Sequence, residues 1–156
     1  MPDSKSLVEE IKKYFEKRFG LSRKIWGDYI IILRNEIGWL INPQLHDWIF
    51  NIGNKAYSLG IPFVRLLPKG IKPTSWGLIF MGREITRNII ELGLEDLRGL
   101  LYRGRIKGSR DIETGYVALG YNGEIIGCGF YKDGVLENQI PKARRKSLLE
   151  ILPQLK

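Results

Sequence analysis

The sequence predicts an α+β protein of two parts, and three observations carry that expectation. Residues 6–19 repeat apolar side chains at helical spacing. Two later segments, Tyr29 to Ile41 and Gly115 to Tyr131, place apolar and β-branched runs on either side of tight-turn signals, as hairpins do. Between them lies PKGIKPTSWG, residues 68–77, whose two Pro, two Gly and two Lys suit a boundary or a tight connection. The expected organisation is a small α/β domain over 1–75 and a β-rich domain over 76–156. A chain of 156 residues can bury one substantial core or two small ones.

In the first helix Leu7, Ile11, Tyr14, Phe15 and Phe19 share a face opposite Lys and Glu. Ser4 or Ser6 is the expected N-cap, and Gly20 stands where a left-handed C-cap belongs. YIIIL, RNEIG and WLI follow as strand, turn and strand. Asn42-Pro43 reads as the start of a second helix, with Leu45, Trp48, Ile49, Ile52 and Ala56 on its buried face and Gly60 at its end. FVRLL is then a third strand. In the second half GLIFMG reads as a strand, LEDLRGLLYRG as a short helix, and RRKSLLEIL as a closing amphipathic helix before Pro153. Thr86 is a candidate turn cap. GYVALGY and EIIGCGFY flank Asn122-Gly123, the dipeptide that favours a type I′ turn and with it a two-residue hairpin.

Composition excludes several functions. The lone Cys128 allows neither an intramolecular disulfide nor a Cys-based metal cage, and its place in IIGCGF suits a small buried hydrophobe. His46 is the only histidine, which leaves a metal site without its partners. Asp28, Glu36 and Asp47 are too scattered for an acid/base pair. GYNGEIIGCG lacks the strand-to-helix context of a nucleotide-binding glycine loop. The expectation is therefore no enzyme, no cofactor and no metal. No apolar run approaches the roughly 20 residues of a membrane span, and MPDSKSLVEEIKKYF lacks a signal-peptide core, so a cytoplasmic location is expected.

Net charge is +8, unevenly arranged. Residues 1–75 hold 12 cations against 7 acids, and residues 76–156 hold 13 against 10, yet the second half is the more clustered. Arg98, Arg103, Arg105, Lys107 and Arg110 form one group, with no acid from 98 to 110. Lys142, Arg144, Arg145 and Lys146 form another. Clustered cations displace condensed counterions from a polyanion, which a dispersed net charge does less well. The alternatives are that Arg98 pairs with Glu95 or Asp96, that the remaining cations are merely solvated, and that the second group solubilises a helix start. Tyr102 and Tyr131 are candidates for stacking on unpaired bases or for ordinary packing. Trp26, Trp39, Trp48 and Trp76 read as structural.

Three motifs of the second half, Leu97-Arg98-Gly99, GYVALGYNGEIIGCGF and LENQIPKARR, resemble a PUA domain, a small RNA-binding β pseudo-barrel. The resemblance is greatest to the PUA-like region of the RsmF-type ribosomal RNA cytosine methyltransferases. Its signature runs LRG, then GYVLVxYxGxPLGxGK, then LKNxYPKxLR, and here it spans residues 78–146. Departures are Glu137 in place of Lys and Gln139-Ile140 in place of an aromatic before Pro141. The methyltransferase's glycine-rich S-adenosylmethionine turn has no counterpart, and the lone Cys128 cannot supply that family's cysteine chemistry. The order helix, hairpin, helix, strand upstream resembles the small α/β domain that precedes PUA in a family of large-subunit ribosome assembly factors.

The resemblance implies a non-catalytic protein that binds structured ribosomal or transfer RNA in RNA modification or ribosome assembly. The implied contacts are Arg98, Arg103, Gly104, Arg105, Lys107, Arg110, Asn138, Lys142, Arg144, Arg145 and Lys146. Gly104 and Gly108 would permit the backbone turns of the loop, and the guanidinium groups would take phosphates in pairs of hydrogen bonds. The competing expectation is a protein–protein adaptor that docks an RNA methyltransferase or assembly factor through the N-terminal domain.

Overall fold

The computed structural model describes residues 3–43 and 60–152. The chain packs as two compact units, Met1–Arg87 and Asn88–Lys156. The expected boundary lay at 75/76, whereas packing divides the chain after Arg87.

In the first unit, helix α1 (Ser4–Phe19) is capped by neither serine. The Asp3 carboxylate takes the Ser6 N–H at 2.7 Å, and a carboxylate suits the positive end of a helix. Gly20 closes it at φ 69°, as expected. A side chain there would also run into the Thr86 hydroxyl, which donates to the Gly20 carbonyl at 3.0 Å. Thr86 thus fastens the end of α1 rather than capping a turn of its own. Ile11, Phe15 and Phe19 face inward, and Phe15 stacks on Phe63 with centroids 4.2 Å apart. A 3-10 turn, Arg23–Gly27, had no signal in the sequence pattern. Its Trp26 indole donates to Glu16 at 3.0 Å.

Strands β1 (Ile30–Arg34), β2 (Ile37–Ile41), β3 (Ile61–Leu67) and β4 (Gly70–Pro73) form an antiparallel sheet in chain order. Asn35 and Glu36, at φ 50° and 64°, make the first hairpin turn. PKGIKP is therefore largely sheet, pairing Leu67 with Gly70 and Val64 with Pro73. The expected helix after Asn42, with Leu45, His46, Trp48, Ile49, Ile52 and Ala56, lies outside the described residues.

GLIFMG is the end of a helix followed by a turn, not a strand. Helix α2 (Ser75–Phe80) begins where the Thr74 hydroxyl accepts the Gly77 N–H at 2.9 Å. Leu78 and Met81, three residues apart, are buried. A short apolar run reads equally well at either period, and here the cap decides.

The second unit contains β5 (Ile89–Glu91), α3 (Leu94–Arg103), β6 (Arg105–Lys107), β7 (Gly115–Tyr121), β8 (Glu124–Lys132), β9 (Val135–Asn138) and α4 (Lys142–Ile151). Its five-stranded mixed sheet has the order β5-β7-β8-β9-β6, with β5 parallel to β7 and the other pairs antiparallel. Asn122-Gly123, at φ 50° and 79°, forms the expected turn. Asp133-Gly134, at φ 50° and 76°, repeats it and creates β9, which the sequence pattern did not predict. Val117, Leu119, Tyr131 and Leu136 from the sheet pack with Leu97 and Leu100 of α3.

Phe15 has no exposed surface and fills the ring stack of the first core. Phe15→Ala is expected to cost about 3–5 kcal/mol of stability, read by chemical denaturation.

Candidate nucleic-acid interface

At the end of α3, Gly104 adopts φ 83°, and its N–H donates to the Leu100 carbonyl at 2.9 Å. This left-handed residue turns the chain from helix directly into β6, which pairs Arg105 with Glu137 and Lys107 with Val135. The Gly104 carbonyl then accepts the Asn138 N–H at 2.8 Å. The Asn138 side-chain oxygen accepts the Ile140 N–H at 2.9 Å, an Asx turn that leads through Pro141 into α4. The backbone that leaves α3 and the backbone that leads into α4 are therefore joined at Gly104 and Asn138. Asn138, expected as a phosphate ligand, commits its oxygen to this turn and keeps its amide donors.

The cations differ in presentation. The Arg103 guanidinium folds back along its own helix, where a Cβ on Gly99 would lie 2.5 Å from Nη2. The glycine of the Leu-Arg-Gly step thus makes room for Arg103. Arg105 and Lys107 point outward on either side of buried Ile106, as strand alternation requires. Lys142 and Lys146 are exposed, while Arg98, Arg110, Arg144 and Arg145 are half-buried. The ion pairs Glu9–Lys12 at 3.7 Å and Glu16–Arg23 at 3.5 Å both belong to the first unit. Among the described residues Arg98 pairs with neither Glu95 nor Asp96, which corrects that alternative. Helix α4 has no acid in its first turn and no side-chain cap. Its cations therefore sit at the positive end of the helix dipole, an arrangement that a bound anion relieves.

Tyr131 is not a stacking platform. Its ring is 4% exposed and belongs to the core, while its hydroxyl accepts the Arg110 N–H at 2.7 Å. The same hydroxyl lies 3.3 Å from the Arg110 carbonyl and 3.4 Å from that of Gly108. The Gly108 N–H donates to the Gly134 carbonyl at 2.8 Å. One buried phenol thus fixes the loop that carries Arg110. Tyr102, by contrast, is 70% exposed on α3. A pair with no signal in the sequence pattern, Tyr116 and Phe130, meets edge to face at 5.0 Å. Cross-strand pairing sets Tyr116 against Phe130, Phe130 against Glu137 and Glu137 against Arg105, one row across the sheet. Burial, and after it the neighbouring Cys128, pushes the Tyr116 phenol upward. Cys128 itself is buried, as expected.

Trp26 and Trp39 are half-buried, and Trp76 is 45% exposed. No group of three His, Cys, Asp or Glu among the described residues is placed to hold a metal. No helix among them is long and apolar enough to cross a membrane.

Residues 87–146 match the family model of the Methyltransferase RsmF PUA domain. The match contains every residue of the two basic segments, and it starts at the packing boundary rather than at residue 78. It is a match to the PUA domain alone and does not reach residues 1–86, so the likeness of the N-terminal unit to assembly factors gains no support. No curated protein matches the chain.

Tyr131→Phe is expected to cost about 1 kcal/mol and to speed amide exchange at Arg110, whose N–H is left without its acceptor. Tyr116 gives a pH dependence. With its pKa raised on folding, its contribution is complete below about pH 10 and is lost as pH climbs through the folded value. Tyr116→Phe should flatten that alkaline loss in a denaturation series.

Proposed function

We propose, with the PUA-domain match as premise, that the second unit binds structured ribosomal or transfer RNA through its phosphates. The chain would serve RNA modification or ribosome assembly without itself catalysing a reaction. The observation that carries this reading is the Gly104–Asn138 junction, which gathers the end of α3, β6 and the start of α4. Arg103, Arg105, Lys107, Lys142, Arg145 and Lys146 then serve as phosphate ligands from elements fixed by main-chain bonds. Arg98, Arg110 and Arg144 border the same segments, and Gly104 and Asn138 set the backbone. A-form RNA hides its base edges in a deep groove, so a cationic surface of this kind reads backbone and shape more than sequence.

The test is fluorescence-anisotropy binding to transfer RNA, a ribosomal RNA stem and duplex DNA across a salt series. Tight binding that favours RNA and falls steeply with salt is expected. Arg103→Glu with Arg105→Glu should weaken all RNAs alike and flatten the logarithmic salt slope by about 2, one for each phosphate ligand removed. Equal weak binding to all three nucleic acids would sink the reading and favour a protein–protein adaptor.

A further inference from the structure

The first unit carries a cleft that the basic surface of the second does not explain. It measures about 510 Å³ and is lined by the 3-10 turn, Tyr29 and the end of α2 through Arg83 and Glu84. Phe80 is 44% exposed at its rim and meets the half-buried Tyr29 edge to face at 5.3 Å. Phe80 thus keeps much of its ring open to the cleft, while Leu78 and Met81 of the same segment face the core. The polar lining is mixed. Lys24 and Arg83 supply cations, Asp28 and Glu84 supply carboxylates, and Ser22 supplies a hydroxyl. Among the described residues Lys24 and Arg83 form no ion pair, and both are exposed.

We propose that this cleft binds one unpaired nucleotide, with guanine favoured over the other bases. The ligand must offer an aromatic face for Phe80 and an anion for Lys24 and Arg83, and a nucleotide offers both. The carboxylates give the preference. Guanine presents two adjacent N–H donors on its Watson–Crick edge, which one carboxylate can accept together, whereas uracil presents a single donor between two acceptors. A docked protein segment would satisfy the ring but not the pairing of base donors with carboxylates beside phosphate with cations. The nucleotide belongs either to a single-stranded stretch of RNA or to a free mononucleotide, and the proposal in its RNA form rests on the function proposed above.

The experiment measures binding of the full chain to short uridine oligomers with and without one central guanine. Guanosine monophosphate serves as competitor, and the ribosomal RNA stem is run in parallel. The guanine-containing oligomer is expected to bind more tightly, and Phe80→Ala to lose roughly ten-fold or more of that affinity while stem binding stays unchanged. Asp28→Asn with Glu84→Gln should erase the guanine preference. Because Phe80 is exposed its truncation should fold, and Lys24→Glu with Arg83→Glu is a second, surface-only probe expected to weaken the oligomer alone. Competition by guanosine monophosphate at concentrations comparable to the oligomer would identify a free mononucleotide as the ligand; none would identify an RNA strand. Unchanged oligomer binding in Phe80→Ala and in Lys24→Glu with Arg83→Glu would overturn the proposal. So would loss of oligomer binding only with Arg103→Glu and Arg105→Glu. If stem binding fails while oligomer binding still depends on Phe80, the function proposed for the second unit falls and the cleft stands.

Discussion

A helix that must become a strand within one residue has few ways to do so, and Gly104 is how the second unit does it. At φ 83° the chain leaves α3 with its last turn closed on Leu100 and enters β6 already in register with β9. No side chain occupies the space around Gly104, so it is the backbone conformation that calls for glycine there. From that single turn follow the edge strand, the bond to Asn138, and the point at which α4 begins. Displacing Gly104 would break the backbone bond to Asn138 and the register of β6 on β9 without touching any cationic side chain.

The core supports the same region from beneath. Leu136 pairs across the sheet with Ile106 on one side and Tyr131 on the other, so the strand that bears Arg105 and Lys107 is held by apolar packing. Tyr131 then extends its hydroxyl past the core to the backbone of the loop at 108–110. Rigidity of this kind favours the phosphate contacts proposed above, because ordering a loop at the moment of binding costs part of the affinity gained.

Legibility in the sequence followed the strength of local signals. Helix α1, both hairpin turns that join β1 to β2 and β7 to β8, and helix α3 were legible because periodicity and turn residues agreed. GLIFMG failed because four consecutive apolar side chains fit either period and the deciding cap, Thr74, lay outside the run. The strand β9 failed because it is four residues long, although Asp133-Gly134 announced its turn. At the candidate interface the cations could be named from clustering. That the backbone is joined at residues 104 and 138 was not legible, because a bond between them leaves no trace in either local pattern. Tyr131 and Tyr102 were indistinguishable as aromatics beside basic loops, and only burial separates a core clamp from an exposed ring.

Charge bears on the same surface. A chain of net charge +8 that sets Arg103, Arg105, Lys107, Lys142, Arg145 and Lys146 on converging elements incurs self-repulsion. The repulsion is sharpened at α4, where the first turn has cations at the positive end of the dipole and no acid to offset them. Elsewhere the same protein shows that it can place carboxylates well: Asp3 caps α1, and Glu16 receives both Trp26 and Arg23. In the second unit Arg103, Arg105, Lys107, Lys142 and Lys146 are exposed to solvent. Such a surface suits an external polyanion, which under the function proposed above is RNA.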